Sequence, residues 1–132
     1  MRLFKVSFFP LVGEDSVAVG RAMAFATVSN PLMLRDIVNK AASDGVLPKE
    51  FKDAPVSIEE EIEIPQGMAM YSVTVGLPPG GVSFCFGASS KQHLKEVLTQ
   101  ALIQMGNEDL SRMVEYDAWT AREIDLNKEG LW

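Results

Sequence analysis

Six stretches of the chain have the alternation or composition of β-strands. In the first of them, Phe4, Val6 and Phe8 fall on every second position, as expected for a half-buried strand. The turn sequences GEDS at 13–16 and PPGG at 78–81 predict that two hairpins connect neighbouring strands. The six predicted strands are residues 3–12, 17–28, 56–64, 70–77, 82–88 and 118–126.

Between these strands, apolar residues at helical spacing predict helices. A helix over 31–44 is predicted by its apolar stripe and by Asn30, a favourable N-cap residue. A second helix begins after Ser89, which has the spacing of a capping box with Gln92. A short third helix is predicted after Asn107, before the last strand.

The two longer helices resemble each other. LRDIVNKA at 34–41 returns sixty residues later as LKEVLTQA at 94–101, and each helix follows a hairpin and precedes a strand. We therefore predict one α+β domain over 1–132, made of duplicated β-β-α-β units with pseudo-repeats at approximately 1–66 and 67–132. The strands are expected to form one largely antiparallel sheet of about six strands, with the two main helices on one face.

A row of small residues lies on one face of the second predicted strand. Another element or molecule can pack unusually close to this face, because the row offers no long side chain to hold it off. A helix of the same domain is the favoured interpretation, and a ligand or partner groove is the alternative. The row consists of Ala18, Gly20, Ala22, Ala24 and Ala26.

Composition narrows the class of protein. The 132 residues carry a net charge of −6, with 18 acidic and 12 basic residues, which argues against a nucleic-acid surface. Cys85 is the only cysteine, so no internal disulfide is possible and a reducing, cytoplasmic compartment is expected. Lys5 and Pro10 make the first residues a poor signal peptide, and no uncharged apolar run is long enough for a membrane helix.

The densest charge lies in the third predicted strand. Glu59, Glu61 and Glu63 are expected on one face of it, about 6.6 to 6.8 Å apart. One interpretation is a solvated strand whose charges discourage aggregation. A second is an acidic strip that binds a basic protein partner. Metal binding is the weakest interpretation, because one strand does not converge its carboxylates on an ion.

Other polar residues support fewer hypotheses. Ser89, Ser90 and Lys91 precede or open the second helix, where backbone N–H groups can hold an anion, although ordinary capping also explains them. Cys85 and His93 flank the same strand-to-helix connection, but a buried thiol is usually inert and the pair is too small for a zinc site. No nucleophile-elbow, Walker or dinucleotide motif is present. We therefore expect no catalytic residues, no metal site and no cofactor.

These observations predict a non-catalytic cytosolic binding module that engages a protein partner through the acidic strand or a sheet edge. Small chains of this kind are common among phage and mobile-element proteins that inhibit a host factor, in which case the location is the host cytoplasm. The alternative is a protein that binds a small anionic ligand or nucleotide at the second helix or in a homodimer cleft. A homodimer is compatible with an exposed sheet edge and with Trp132 at the last position.

Overall fold

The strands form two antiparallel sheets rather than the single sheet predicted. The computed structural model describes residues 1–10, 22–76 and 81–132. Within these ranges the sheets have four and three strands and are accompanied by three α-helices, which confirms the α+β class. The turn predicted at 13–16, the small residues Ala18 and Gly20, and most of the turn predicted at 78–81 lie outside the described residues.

The secondary structure follows the predicted order, with shorter elements. A 3-10 turn, Pro31–Met33, opens the first predicted helix, and a second one is Lys49–Phe51. The strands are β1 (Arg2–Phe8), β2 (Ala22–Val28), β3 (Val56–Ile62), β4 (Ala69–Val75), β5 (Val82–Ala88), β6 (Trp119–Glu123) and β7 (Gly130–Leu131). The helices are α1 (Leu34–Ser43), α2 (Lys91–Gln104) and α3 (Glu108–Glu115).

The chain divides into two compact units, Met1–Glu63 with Asp125–Trp132, and Ile64–Ile124. Each unit holds one of the sheets. In the first unit β1 is central and pairs with β2 and β3, and in the second unit β4 is central and pairs with β5 and β6. The strand order is β3-β1-β2-β7 in the first unit and β5-β4-β6 in the second.

The core of the first unit lies between its sheet and α1. Phe4, Val6 and Phe8 face the helix from β1, and their partners across the sheet are alanines of β2. Helix α1 contributes Leu34 and Val38 to the same core. Among the described small residues of β2, Ala26 belongs to this core, and Ala22 and Ala24 pack against it. These partners of β1 are Ala26, Ala24 and Ala22.

The core of the second unit has the same plan with larger side chains on the helix. From the central strand β4, Tyr71, Val73 and Val75 are buried. Helix α2 packs on them through Leu94, Leu98 and Leu102, all fully buried, and α3 adds Val114. Phe84 and Phe86 of β5 pack at the margin of this core.

Both units also connect the helix to the following strand in the same way. Asp53 precedes β3 and Asp117 precedes β6, and both adopt left-handed backbone conformations, with φ of 59° and 60°. Arg35 of α1 donates to the carbonyl oxygen of Asp53 at 3.3 Å. Lys95 of α2, sixty residues after Arg35, donates to Oδ1 of Asp117 at 2.8 Å. A basic side chain on the helix thus holds each turn.

The last residues are tied to the first unit by β7 and by Trp132. Backbone groups of Trp132 and Phe25 exchange two hydrogen bonds, of 2.8 and 3.2 Å. The indole Nε1 of Trp132 donates to the Thr27 hydroxyl at 3.0 Å, and this hydroxyl donates to the carbonyl oxygen of Lys128 at 2.6 Å. One buried hydroxyl therefore joins β2 to two points of the final segment.

Replacing Thr27 with Val is expected to destabilise the protein by about 1–3 kcal/mol, because the hydroxyl both donates and accepts in a buried position. Urea denaturation followed by circular dichroism measures this change. Thr120→Val on an exposed face of β6 is the control and should change stability by less than about 0.5 kcal/mol. Equal effects of the two substitutions would show that the Thr27 hydroxyl contributes no net stability.

Replacing Asp117 tests the left-handed turn. Asp117→Ala should cost about 1–2 kcal/mol, because the alanine Cβ is strained at positive φ and the bond from Lys95 is lost. Asp117→Gly loses the same bond without the strain. Thermal unfolding should therefore rank the glycine variant above the alanine variant, and the opposite order would contradict the strain argument.

Candidate functional site

The candidate site is β3, an outer strand of the first sheet. Its inner side pairs with β1, and no described strand pairs with its outer side. The five residues Ser57–Glu61 are all exposed, and 48% of Ile58 is accessible to solvent. Both the side chains of residues 57–61 and the outer edge of the strand are therefore accessible in the described part of the protein.

A β-bulge changes the direction of the carboxylates along β3. Lys5 of β1 lies opposite Glu60, but the next residue of β1, Val6, lies opposite Ile58. Glu59 is therefore the extra residue of the bulge, and Glu59 and Glu60 point to the same side as Lys5. The hydroxyl of Ser7, on that same side of β1, donates to Glu59 Oε1 at 2.6 Å.

Glu61 lies on the other face of the sheet. It pairs with Phe4, whose ring belongs to the core beneath α1. The predicted strip of Glu59 and Glu61 on one face is therefore wrong, because the extra residue breaks the alternation on which the prediction depended. Glu63 is exposed and follows the last residue of the strand.

Arg2 holds the Glu61 carboxylate in place. Two guanidinium nitrogens of Arg2 donate to the two carboxylate oxygens of Glu61, and the guanidinium carbon lies 4.9 Å from the centre of the Phe4 ring. The hydrogen bond from Arg2 is the main reason why the pKa of Glu61 lies below its ordinary value. The same bond raises the pKa of Arg2, so both groups stay charged over a wider pH range.

The chemistry of β3 is that of hydrogen-bond acceptors. Ionised carboxylates accept from ammonium, guanidinium and backbone N–H groups, and they carry no proton to transfer at neutral pH. Among the described residues, no group of three His, Cys, Asp or Glu side chains is arranged to hold a metal ion. The arrangement therefore favours binding of a positively charged group.

The predicted anion site is the N-terminus of α2. Ser90, rather than Ser89, is the N-cap residue, and its hydroxyl accepts from the backbone N–H of His93 at 3.3 Å. The capping box predicted between Ser89 and Gln92 is therefore wrong, because the third residue after Ser90 is His93 rather than a Glu or Gln. Ser89 and Lys91 are exposed beside the cap. Ordinary capping thus already uses one of the two hydroxyls.

Cys85 and His93 occupy different settings. Cys85 lies in β5 opposite Ser72 and is half-buried. Nδ1 of His93 lies 3.5 Å from Oε2 of Glu96, one turn further along α2.

Comparisons of the chain with protein-family models, with curated proteins and with solved structures find no match. No helix in the described part of the chain is long and apolar enough to cross a membrane. The function must therefore be argued from the geometry of the strands and their charges.

The ion pair of Glu61 predicts a specific titration. The folded-state pKa is lowered, so the pair stabilises the fold above the unfolded-state pKa, and this contribution is lost as pH falls through the folded-state pKa. Arg2→Gln should raise the pKa of Glu61, as measured by NMR titration of its side-chain carboxyl. The pKa of Asp117, lowered by Lys95, is the internal control. An unchanged Glu61 titration in the variant would contradict the assigned cause.

Proposed function

We propose that this protein is a non-catalytic binding module that engages a basic surface of a protein partner through β3. The observation that carries the proposal is the concentration of exposed carboxylates on an outer strand whose outer edge no described strand pairs. The cytoplasm is the proposed location, in keeping with a chain that has a single cysteine.

The directions of the carboxylates support approach from the edge of the sheet. Glu59 and Glu60 point to the side of Lys5, whereas Glu61 points to the side of Phe4. A partner that approaches one face meets only part of this charge, but a partner that approaches the edge reaches both groups. Complementary charge of this kind mainly increases the association rate and selects against acidic partners.

The bulge and the charges also favour side-chain contacts over extension of the sheet. Charged residues and bulges on outer strands discourage the addition of another strand. The partner is therefore expected to contribute lysine or arginine side chains rather than a paired backbone. An inhibitor encoded by a phage or mobile element, acting on a host factor, is one protein of this class.

The finer architecture that we propose is an internal duplication of a β-β-α-β unit. Strands β2 and β5 lie sixty residues apart, as do the buried helical positions Leu34 and Leu94. Arg35 and Lys95 share this spacing, and each binds the left-handed aspartate before the third strand of its unit. Agreement of strand, helix and turn supports descent from one unit better than the amphipathic helices do alone.

Charge reversal tests the proposed function. The variant Glu59→Lys, Glu61→Lys and Glu63→Lys should reduce recovery of the partner by about tenfold or more, because loss of about 1.4 kcal/mol of binding free energy has this effect. The measurement is affinity capture from lysates of candidate host cells with quantitative mass spectrometry. Proteins recovered by the native chain and lost by the variant are the candidates.

The matched control reverses three exposed acidic residues outside the strands, two on helices and one at the C-cap of α1: Glu96→Lys, Glu115→Lys and Asp44→Lys. It changes the net charge by the same amount and should retain the partner. A third variant with Gln at 59, 61 and 63 keeps hydrogen-bond acceptors, including one for the Ser7 hydroxyl, and removes only the charge.

Two results would overturn the proposal. One is equal loss of the partner in the β3 variant and in the matched control, since this indicates a general charge effect. The other is a protein that captures no partner but carries a small bound anion in native mass spectrometry. In that case the exposed residues Ser89 and Lys91 at α2 become the next positions to replace.

A further inference from the structure

Strand β5 is an outer strand without the features that protect β3. It lies at one side of the second sheet, and its register with β4 continues without a bulge over all seven residues. Its sequence, VSFCFGA, has no charged residue. By contrast, β3 has a bulge and three consecutive glutamates, and the outer strand β6 is shorter and ends in Arg122 and Glu123. An uncharged, regular outer strand is the kind that recruits another strand.

The corresponding strand of the first unit is already paired on both sides. Strand β2, sixty residues before β5, pairs with β1 and also with β7, through Ala26 and Thr27. In the second unit β4 takes the place of β1, but no described strand takes the place of β7. The same position in the same strand order is therefore occupied in one unit and open in the described part of the other.

We infer that a second copy of this chain pairs with β5, so that two β5 strands run antiparallel across a twofold axis at Cys85. The strand is nearly palindromic about this residue. Phe84 and Phe86 flank it, so the twofold pairing sets Phe84 of each copy directly opposite Phe86 of the other. This interface is independent of the charged surface of β3.

The aromatic side chains select both the partner and the register. The Phe84 and Phe86 rings lie 5.8 Å apart and are partly buried at the margin of the second core. Pairing centred on Cys85 gives two cross-strand Phe pairs, whereas a centre at Phe84 or at Phe86 gives one. Aromatic cross-strand pairs stabilise antiparallel sheets. The absence of charge on the strand means that self-pairing brings no like charges together.

The inferred register sets a distance that can be measured. Residues directly opposite in an antiparallel pair have Cα atoms about 4.5–5.5 Å apart. This range lies within the spacing of about 4.4–6.8 Å that a disulfide requires. The two copies of Cys85 should therefore form a disulfide when the full chain is oxidised with copper(II) phenanthroline. The S–S bond replaces two S–H bonds, the two protons pass to the buffer, and two copper(II) ions take one electron each and become copper(I). The two copies of Ser83, by contrast, are each paired with Gly87 and lie several residues apart along the strands.

The first experiment compares two single-cysteine chains. The native chain should form a disulfide-linked dimer rapidly, whereas Ser83→Cys combined with Cys85→Ser should not, although Ser83 is the more exposed residue. Rapid linkage of both chains, or of the doubly substituted chain alone, overturns the register. The Cys85→Ser chain, which has no cysteine, should still be a dimer in native mass spectrometry and sedimentation, since pairing does not require the thiol.

The second experiment uses charge. Cys85→Lys and Cys85→Glu each bring like charges directly opposite one another and should shift the protein to monomer, whereas an equal mixture should restore a mixed dimer. Circular dichroism checks that each variant is folded, and the cysteine comparison decides the question if either is not. A folded native chain that stays monomeric overturns the inference. Reversing the charges of β3 should leave the dimer unchanged, which separates this result from the proposed function.

Discussion

Each unit depends on one packing constraint, the contact of a helical stripe with alternate residues of a central strand. Strand β1 presents large side chains toward α1, and β4 presents large side chains toward α2. The buried residues of the two helices repeat every fourth position, so a single row of each helix meets the sheet. The neighbouring strands and turns must fill the space that this contact leaves.

The two units fill that space differently. In the first, the neighbour β2 has alanines beside the core, and the ring of Phe51 from a 3-10 turn packs edge-on against Phe8, with centroids 5.1 Å apart. In the second, the neighbour β5 itself supplies Phe84 and Phe86. In the first unit the space beside the alanines is therefore filled by Phe51, from outside the sheet. In the second unit it is filled by the phenylalanines of the outer strand itself. Beside the core, β2 accordingly carries alanines, whereas β5 carries phenylalanines.

Periodicity and capping identified most elements because these are local properties. The alternation of β1 and the apolar stripes of both long helices are decided by residues within a few positions of one another. The position of the bulge is not local. Glu59, Glu60 and Glu61 are chemically identical, so the sequence contains no signal for which of them is the extra residue. The division into two sheets depends on which strands pair, and β7 is too short to show any period.

The hydroxyl of Ser90 illustrates the same limit, since two adjacent serines can each cap a helix and only the backbone conformation decides between them. Sequence reasoning thus identified which residues are polar or apolar at the candidate sites, but not the faces to which they point.

The ion pair between Arg2 and Glu61 limits what charge alone can contribute at β3. A basic partner must compete with Arg2 for this carboxylate, and exposed ion pairs contribute little net free energy in any case. Affinity therefore requires apolar contact as well as charge. Ile58 supplies a suitable group, because it lies opposite Val6, on the same face as Glu61, and remains half exposed. Contact with this apolar side chain would exclude water from a small area, while the carboxylates along the strand attract the basic groups of the partner.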